Sequence, residues 1–177
     1  LLVRANNRTY RSRGIQTRAE YRFNLNEFFF DLEFGLRYHA DEEDRFQWDD
    51  SYSMKNKKMV LFMEGIHGTN ANRVTSANAL AGYLLAKLRY DAWTVTAGLR
   101  YEDVDLLKKD YTKEDLARSG KVRIETPNHA RVLIPGVGLH YQLMPAASVF
   151  FGIHKGFAPP SAELYQKPES SVNMELG

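Results

Sequence analysis

Charged and imidazole side chains recur at alternate positions along several stretches of this 177-residue sequence. Alternate residues of a β-strand lie on the same face, so these stretches would collect such side chains on one side of a sheet. The side chains concerned are Arg18, Arg22, Glu33, Arg37, His39, Lys87, Arg89, Arg100, Glu102, His140 and His154. A guanidinium presents paired donors to a carboxylate, so arginines on this face could hold an anionic molecule. Alternatively, opposite charges on neighbouring strands simply neutralise one another.

The other chemistry-bearing residues predict neither catalysis nor metal binding. The five histidines show no pair at i,i+2 on a strand or i,i+4 on a helix, so no metal site is expected. Gly136 and Gly138 lack the third glycine and the following helix of a nucleotide-binding loop. No arrangement of serine, histidine and aspartate can be argued. We therefore expect a protein that is not an enzyme and that carries no cofactor.

The composition excludes several classes of protein. The chain contains 26% charged residues, no cysteine and a formal net charge of +2. Lysine and arginine alternate with acids and form no basic stripe, which disfavours nucleic-acid binding. The lack of cysteine excludes a disulfide framework and cysteine-ligated metal. No apolar window of about 18 residues predicts a transmembrane helix. A transmembrane β-strand, however, needs only about 9 to 11 residues of alternating character.

The clearest structural signal is a hairpin within residues 79–103. After the turn at Asp91 and Ala92, apolar and polar residues alternate up to Glu102, as in a strand with one apolar and one polar face. The segment before the turn also fits an amphipathic helix. We favour a strand there, because the following strand needs an antiparallel partner within reach of a two-residue turn.

Similar alternation predicts strands elsewhere, over residues 12–24, 28–39, 133–143 and 148–157, with a seventh near the end of the sequence. Short turns at residues 24–27, 91–92 and 144–147 alternate with long loops at 40–76, 104–130 and after 158. Within these loops we predict a strand extension at 59–63, and a short helix over 112–120 from Thr112 as N-cap and Gly120 as C′ residue.

This order of connections places all short turns at one end of a sheet and all long loops at the other. Together with aromatic residues near both strand ends, it predicts an all-β, antiparallel up-and-down meander of about six or seven strands, part of a large transmembrane β-barrel. Ligands would enter from the end with the long loops. The candidate ligand-binding residues nearest that end are Arg37, His39, Arg100 and Glu102.

Four stretches resemble one family: SRGIQTRAEYRF at 12–23, WTVTAGLRYE at 93–102, VFFGIHKGFAPP at 149–160 and KPESSVNMELG at 167–177. In this order and spacing they are similar to TonB-dependent outer-membrane receptors, and more loosely to their ferric citrate receptor branch. The resemblance implies a 22-stranded barrel with an N-terminal plug domain. It also implies uptake of a ferric siderophore, haem, vitamin B12 or a glycan, driven through the TonB complex.

We therefore expect residues 1–177 to be a partial β-barrel domain, without the plug domain, in the lipid of the bacterial outer membrane. In isolation its two sheet edges should pair with other copies. One alternative is a small soluble or periplasmic β-barrel that binds an apolar ligand, with Phe28, Phe30, Phe34, Leu99 and Val137 pointing inward. Another is an envelope scaffold or adhesin that acts through loops 40–76 and 104–130.

Overall fold

The computed structural model describes residues 1–113, 115–120 and 122–177, and its regular structure is entirely β. Its eight strands are β1 (Leu2–Leu25), β2 (Phe28–Lys55), β3 (Lys58–Met63), β4 (Ala71–Tyr90), β5 (Trp93–Asp110), β6 (Ile124–Met144), β7 (Ala147–Ala158) and β8 (Glu169–Leu176). They form one antiparallel sheet in the order β1-β2-β4-β5-β6-β7-β8, and β3 pairs with β2. The predicted all-β meander is confirmed.

Two-residue turns join the strands at one end of the sheet. They lie between β1 and β2, β4 and β5, and β6 and β7, at the three positions that the sequence predicts. Asn26 and Asp91 have φ angles of 53° and 48°. Asparagine and aspartate tolerate this left-handed conformation better than other residues with a side chain, which suits them to tight hairpin turns.

The strands extend well beyond their predicted ends, so both long predicted loops are wrong in extent. β2 continues to Lys55 and β4 begins at Ala71, although residues 40–76 were expected to form a loop. β5 likewise reaches Asp110, and β6 starts at Ile124. Pairing of β1 with β2 is uninterrupted through this region. The run of charged residues at 41–45 places charges on both faces of β2 and interrupts the alternation, although Phe46, Trp48, Tyr52 and Met54 share one face beyond it. The predicted extension at 59–63 is confirmed as β3.

The predicted helix over 112–120 is not formed by the described residues, and Glu114 lies outside them. Instead, the Asp115 carboxylate accepts hydrogen bonds from the backbone N–H groups of Ser119, at 3.0 Å, and Gly120, at 2.7 Å. Aspartate side chains often bond the backbone in this way in preference to a continuing helix. The residues that suggest a helix start therefore close a turn.

One face of the sheet, which we call the apolar face, carries apolar side chains in continuous rows across the strands. One row consists of Phe23, Phe30, Leu88, Val95, Leu139, Phe151 and Leu176. The next consists of Tyr21, Leu32, Ala86, Ala97, Val137, Ile153 and Met174. Along β2 the apolar rows run from Phe28 to Tyr38, about 34 Å of strand. A tilt of about 45° reduces this to about 24 Å, close to the apolar band of a membrane barrel.

The sheet is a single open layer. Large apolar side chains such as Phe34, Leu84 and Leu99 are exposed on the apolar face. Among the described residues β1 and β8 do not pair with each other, so the sheet does not close into a small barrel. The alternative of a small barrel with Phe28, Phe30, Phe34, Leu99 and Val137 pointing inward therefore does not match the sheet that the described residues form. No helix in the described part of the chain is long and apolar enough to cross a membrane.

Candidate ligand-binding wall

The opposite face of the sheet, which we call the polar face, carries the charged residues identified from the sequence. Near the two-residue turns these charges neutralise one another. Asp31 lies 3.0 Å from Arg89 Nη2 and 3.6 Å from Arg22 Nε. Glu33 lies 3.5 Å from Arg18 Nε and accepts a 2.6 Å hydrogen bond from the Tyr83 hydroxyl. At this level of the polar face each of the three arginines has a carboxylate partner, whereas Lys87, which faces Asp31, forms no ion pair with a described residue.

The four predicted ligand-binding residues all lie on the polar face, farther from the turns. Arg37 on β2 and Glu102 on β5 both face Ala81 of the intervening β4. Glu102 accepts a 2.6 Å hydrogen bond from Arg100 Nε. His39 Nε2 lies 3.0 Å from both Ser12 Oγ and Asp41 Oδ1.

Of these four residues, Arg37 has the least engaged side chain. No hydrogen bond or ion pair of its guanidinium is present within residues 1–113, 115–120 and 122–177. Arg100, by contrast, is neutralised by its strand neighbour Glu102, whose side chain is only 14% exposed. The structure thus brings Arg37 and Glu102 into one cross-strand row and leaves Arg37 available to an anion.

A stronger cationic feature lies nearer the long loops, where Arg8, Arg45 and Arg73 sit directly opposite one another on β1, β2 and β4. We call these three residues the arginine row. It lies on the polar face, because Arg45 shares the alternation of Arg37 and His39 along β2. The sequence analysis missed this row. Arg45 and Arg73 fall in a segment expected to be a loop, and only the register of paired strands reveals their alignment.

The arginine row is incompletely neutralised. Glu43 Oε1 lies 2.7 Å from Arg45 Nε and 3.5 Å from Arg8 Nη1, so one carboxylate serves two guanidinium groups. Burial alone would raise the pKa of Glu43, but hydrogen bonds from Arg45 and from the Tyr10 hydroxyl, together with the arginine charges, hold that pKa below its ordinary value. Glu43 therefore stays ionised at neutral pH.

Arg73 adds an unsatisfied donor to this row. Its Nε is buried and has no hydrogen-bond partner among the described residues. A buried donor without a partner costs about 1 to 3 kcal/mol, and like charges directly opposite each other across strands are also destabilising. An anion placed against the arginine row would relieve both penalties.

The loop between β7 and β8, residues 159–168, folds over the polar face beside the arginine row. Asn128 Nδ2 donates to the carbonyl oxygens of Ser161, Glu163 and Gln166 at 3.0, 3.1 and 3.0 Å. The Glu163 carboxylate also lies 2.7 Å from Lys108 Nζ. These contacts position the loop as one border of the site.

The loop between β5 and β6, residues 111–123, is fixed on the other side of the sheet. Arg118 Nη1 and Nη2 donate to the two Asp44 carboxylate oxygens at 2.6 and 2.7 Å, and Nε donates to Asn72 Oδ1 at 2.8 Å. The guanidinium also lies over the rings of Phe46 and Tyr111, at 5.7 and 5.3 Å. The pKa of Arg118 is raised, chiefly by its hydrogen bonds to Asp44. The contacts of Arg118 and Asn72 thus hold the described residues of this loop on the side of the sheet opposite the arginine row.

The polar face also contains a recess of about 510 Å³ among glycines of β5, β6 and β7. Gly98 faces Gly136 and Gly138 faces Gly152 across adjacent strands. A Cβ added at Gly152 would meet no atom within 4 Å. The missing side chains leave an indentation in a wall that otherwise carries long charged residues.

A group with metal-ligand chemistry lies on the apolar-face side, at the edge of the apolar rows. Ligand atoms of Asp103, Asp105 and His129 lie within 4.8 Å of one another. Asp103 already contacts His129 Nε2 at 2.6 Å and Arg131 Nε at 2.9 Å. Histidine spacing could not reveal this group, because its members come from two strands. We assign it no ligand, since its charges are satisfied internally.

Long antiparallel strands with one apolar and one charged face are the architecture of transmembrane β-barrel walls. A family model described as "TonB dependent receptor-like, beta-barrel" matches residues 3–177. The chain therefore belongs to the TonB-dependent receptors and contributes to their barrel domain. This family consists of transport receptors of the bacterial outer membrane. The resemblance of the four sequence stretches is confirmed.

Two solved structures share this fold at low sequence identity. The chain is similar to the ferric citrate transporter FecA in its unliganded form, with a TM-score of 0.76 and 17% sequence identity. The superposition covers 99% of this chain and 26% of FecA. The siderophore receptor PiuA from Acinetobacter baumannii gives 0.71 at 12% identity, over 96% of this chain and 29% of PiuA. The chain thus spans less than a third of either protein. No curated protein matches the sequence.

Proposed function

We propose that this chain forms part of the barrel wall of an outer-membrane, TonB-dependent uptake receptor for a ferric chelate or a similar large nutrient. The arginine row is the observation that supports an anionic nutrient. In this row one carboxylate is shared by two guanidinium groups, and the buried Arg73 Nε has no hydrogen-bond partner among the described residues. Ferric chelates with carboxylate or catecholate groups are anionic and accept charge-assisted hydrogen bonds from arginine.

In this proposal the apolar face contacts outer-membrane lipid and the polar face lines the lumen. The span from Phe28 to Tyr38 fits the hydrocarbon thickness that such a wall must cover. The reverse orientation would expose the pairs of Arg18 and Arg22 with their carboxylates to hydrocarbon, where charged residues are strongly unfavourable. The turns at 26–27, 91–92 and 145–146 then lie on the periplasmic side, and the long loops and the β2–β3 hairpin lie on the extracellular side.

The arginine row would be the first contact for an arriving anion. Arg45 lies eight residues beyond Arg37 on β2, about 27 Å along the strand. Arg37, with no partner in the described chain, would then provide a second cationic contact deeper in the lumen. Glu102 and His39 would border that inner contact. Capture and inward movement would thus use cationic groups of the same face.

The proposed orientation of the polar face towards the lumen also suggests where a plug domain and the TonB complex would act. A plug domain of the receptor would pack against the polar face, and the glycine recess offers it a point of close approach. The TonB complex would act through the plug domain. Haem, which carries two carboxylates, remains compatible with the arginine row, whereas a neutral glycan would make no use of its charge.

The test is binding and uptake by the full-length receptor in outer membranes. Radioactive iron would be supplied as ferric citrate, an anionic chelate, or as an uncharged ferric trihydroxamate. We expect ferric citrate to bind, and Arg45→Gln to weaken that binding at least tenfold, because each charge-assisted hydrogen bond contributes about 1.5 to 3 kcal/mol. Arg22→Gln is the matched control near the turns.

Two results would overturn the proposal. One is the absence of binding and uptake of every iron chelate by a correctly inserted receptor. The other is an equal effect of Arg45→Gln and Arg22→Gln on ferric citrate affinity, which would remove the arginine row from the site.

A further inference from the structure

The hairpin formed by the end of β2 and by β3, residues 52–63, projects beyond the rest of the sheet. Its turn residues Asn56 and Lys57 have φ angles of 50° and 64°, typical of a tight two-residue hairpin turn. β3 pairs with β2 along one edge only. In the described part of the chain, the second edge of β3 pairs with no strand. Six residues of backbone donors and acceptors are therefore available there.

The side chains of this hairpin are apolar and exposed. β3 has the sequence KMVLFM, and all six of its residues are exposed. Phe62 is 76% exposed. Exposed apolar edge strands are usually protected by charges, proline or bulges along the edge, and residues 59–63 contain no charge or proline. A free edge of this composition is suited to pairing with another strand.

Methionine is concentrated in the same hairpin. Met54, Met59 and Met63 are three of the five methionines in the whole chain. Methionine is flexible and polarizable, and it is common on surfaces that bind partners of varied shape. This enrichment favours a binding surface over a structural one, because no described residue packs over β3.

The charge at the hairpin tip indicates the chemistry of the partner. Lys55, Lys57 and Lys58 surround the turn, and none of them forms an ion pair with a described residue. The acid that follows β3, Glu64, lies at its far end beside His67. A segment with acidic residues at one end and apolar residues beyond them would complement both the lysines and β3.

Two other occupants fit less well. Lipid is too distant, because Lys55 lies 17 residues beyond Tyr38, about 58 Å along β2 from the edge of the apolar rows. A second copy of the hairpin in the same orientation would bring two lysine clusters together, which like-charge repulsion disfavours. A partner protein of opposite charge has neither problem.

We propose that the free edge of β3 is a docking site for an extended segment of another protein, acidic at one end and apolar along its length. The segment pairs with β3 as an added strand, so that backbone hydrogen bonds provide affinity and flanking side chains provide selectivity. The glutamate or aspartate side chains of the segment contact the lysines at the tip. This function is separate from nutrient uptake and does not depend on which nutrient is carried.

The test uses the full-length receptor in detergent and a labelled eight-residue peptide in which two glutamates precede alternating valine and threonine. Fluorescence anisotropy should show saturable binding, weakened at least tenfold by Phe62→Lys. Ile66→Lys is the matched control, because Ile66 is 69% exposed but lies outside β3. Replacing the peptide's glutamates with lysine should also abolish binding, as should proline in the middle of the peptide. Retained gel mobility of the unheated barrel checks that each variant is folded.

Hydrogen exchange distinguishes a free edge from a covered one. The amides of β3 on the unpaired side should exchange rapidly in the receptor alone and slow on peptide addition. Protection of both edges without peptide would show that another segment of the receptor already covers β3, and would overturn the proposal. Absence of saturable binding, or equal effects of Phe62→Lys and Ile66→Lys, would do the same.

Discussion

Arg45 and Arg73 lie directly opposite each other on neighbouring strands, and within the described residues only Arg45 of the two has a carboxylate within hydrogen-bonding distance. Asp110 faces Arg73 from β5, but its carboxylate lies 3.9 Å from Lys108 Nζ. Glu43, which neutralises Arg45, is also shared with Arg8. At this level of the polar face Arg73 has no ion pair among the described residues, whereas Arg18, Arg22 and Arg89 each pair with Asp31 or Glu33 nearer the turns. Facing guanidinium groups cost stability in the free protein, and an anion bound against them would offset that cost.

The facing guanidinium groups of Arg45 and Arg73 predict opposite effects of Arg73→Gln on stability and on affinity for an anion. Removing one of the facing charges should leave the free energy of unfolding of the unliganded receptor unchanged or increase it by up to about 1 kcal/mol. The thermal midpoint should therefore stay the same or rise. Affinity for ferric citrate should fall roughly tenfold. Differential scanning calorimetry and chelate binding measure the two quantities. A clear drop in thermal midpoint would show that Arg73 has a structural role instead.

The attachment of loop 111–123 should depend on the paired geometry of Arg118 and Asp44 as well as on charge. Arg118→Lys keeps the charge but loses the bidentate contact, at a cost of about 2 kcal/mol, or roughly thirtyfold in the equilibrium for loop release. Limited proteolysis of the inserted receptor should show faster cleavage within residues 111–123. Lys113→Arg serves as the control. Unchanged cleavage in Arg118→Lys would show that other contacts hold the loop.

The turn at Asp115 should open in acid. The hydrogen bond from the Gly120 N–H lowers the pKa of Asp115 below its ordinary value of 3.8, and hydrogen bonds from Ser119 lower it further. Burial raises this pKa, but by less than the hydrogen bonds lower it. Because the folded pKa is the lower one, the turn is fully stabilised above the ordinary pKa and loses this contribution as the pH falls through the folded pKa.

Hydrogen exchange of the Ser119 and Gly120 amides, corrected for the intrinsic pH dependence, measures this effect. Protection should hold from neutral pH to about pH 4 and then decline. Asp115→Asn should show weaker protection with no such decline. Protection of the wild-type turn that persists at about pH 2 would contradict the role of the carboxylate.

The glycine recess predicts a difference between two glycine substitutions. Gly152→Leu should leave barrel assembly intact, because a Cβ there meets no atom within 4 Å, but should reduce uptake by filling the recess. Gly14→Leu should impair assembly, because its Cβ would lie 2.6 Å from the Tyr38 carbonyl oxygen. Gel mobility of unheated samples and iron uptake provide the two readouts. Normal uptake by a folded Gly152→Leu receptor would exclude a role for the recess.

The isolated 177-residue chain should self-associate. Both outer edges of its open sheet present unpaired backbone groups, and its apolar face is uncovered. Light scattering after size-exclusion chromatography in mild detergent should detect dimers or larger species that form through the edges of β1 and β8. A monodisperse monomer with protected edge amides would contradict this expectation.

The part of the wall next to the turns at 26–27, 91–92 and 145–146 could be predicted from sequence because its two faces differ. Val95, Leu99 and Tyr101 alternate with polar residues, and the two-residue turns carry Asn26 and Asp91 where the backbone requires them. The fold class, the three turns and the central hairpin follow from these signals. The helix-like spacing of Leu80, Leu84 and Leu88 is overruled by pairing with β5.

The part of the wall beyond Tyr38, towards the long loops, could not be predicted in the same way. In β2 the charged residues 41–45 interrupt the alternation, so the pattern of Phe46, Trp48, Tyr52 and Met54 beyond them does not appear as a continuation of the same strand. The alignment of Arg8 with Arg45 and Arg73 depends on register over more than sixty residues of sequence, which no local pattern specifies. The sequence identified Arg37, His39, Arg100 and Glu102 because they lie on segments whose alternation predicts a strand. Their role in binding remains a prediction.

The two long loops lie on opposite sides of the wall, one held over the polar face by Asn128 and the other held over the apolar-face side by Arg118. One consequence concerns exposure to antibodies, phages and other agents that select for surface change. In the proposed orientation, residues 111–123 would diversify under such selection without altering the nutrient path. Residues 159–168 border the arginine row, so changes there would alter nutrient capture. The proposed receptor would then evade recognition through residues 111–123 while residues 159–168 preserved its specificity.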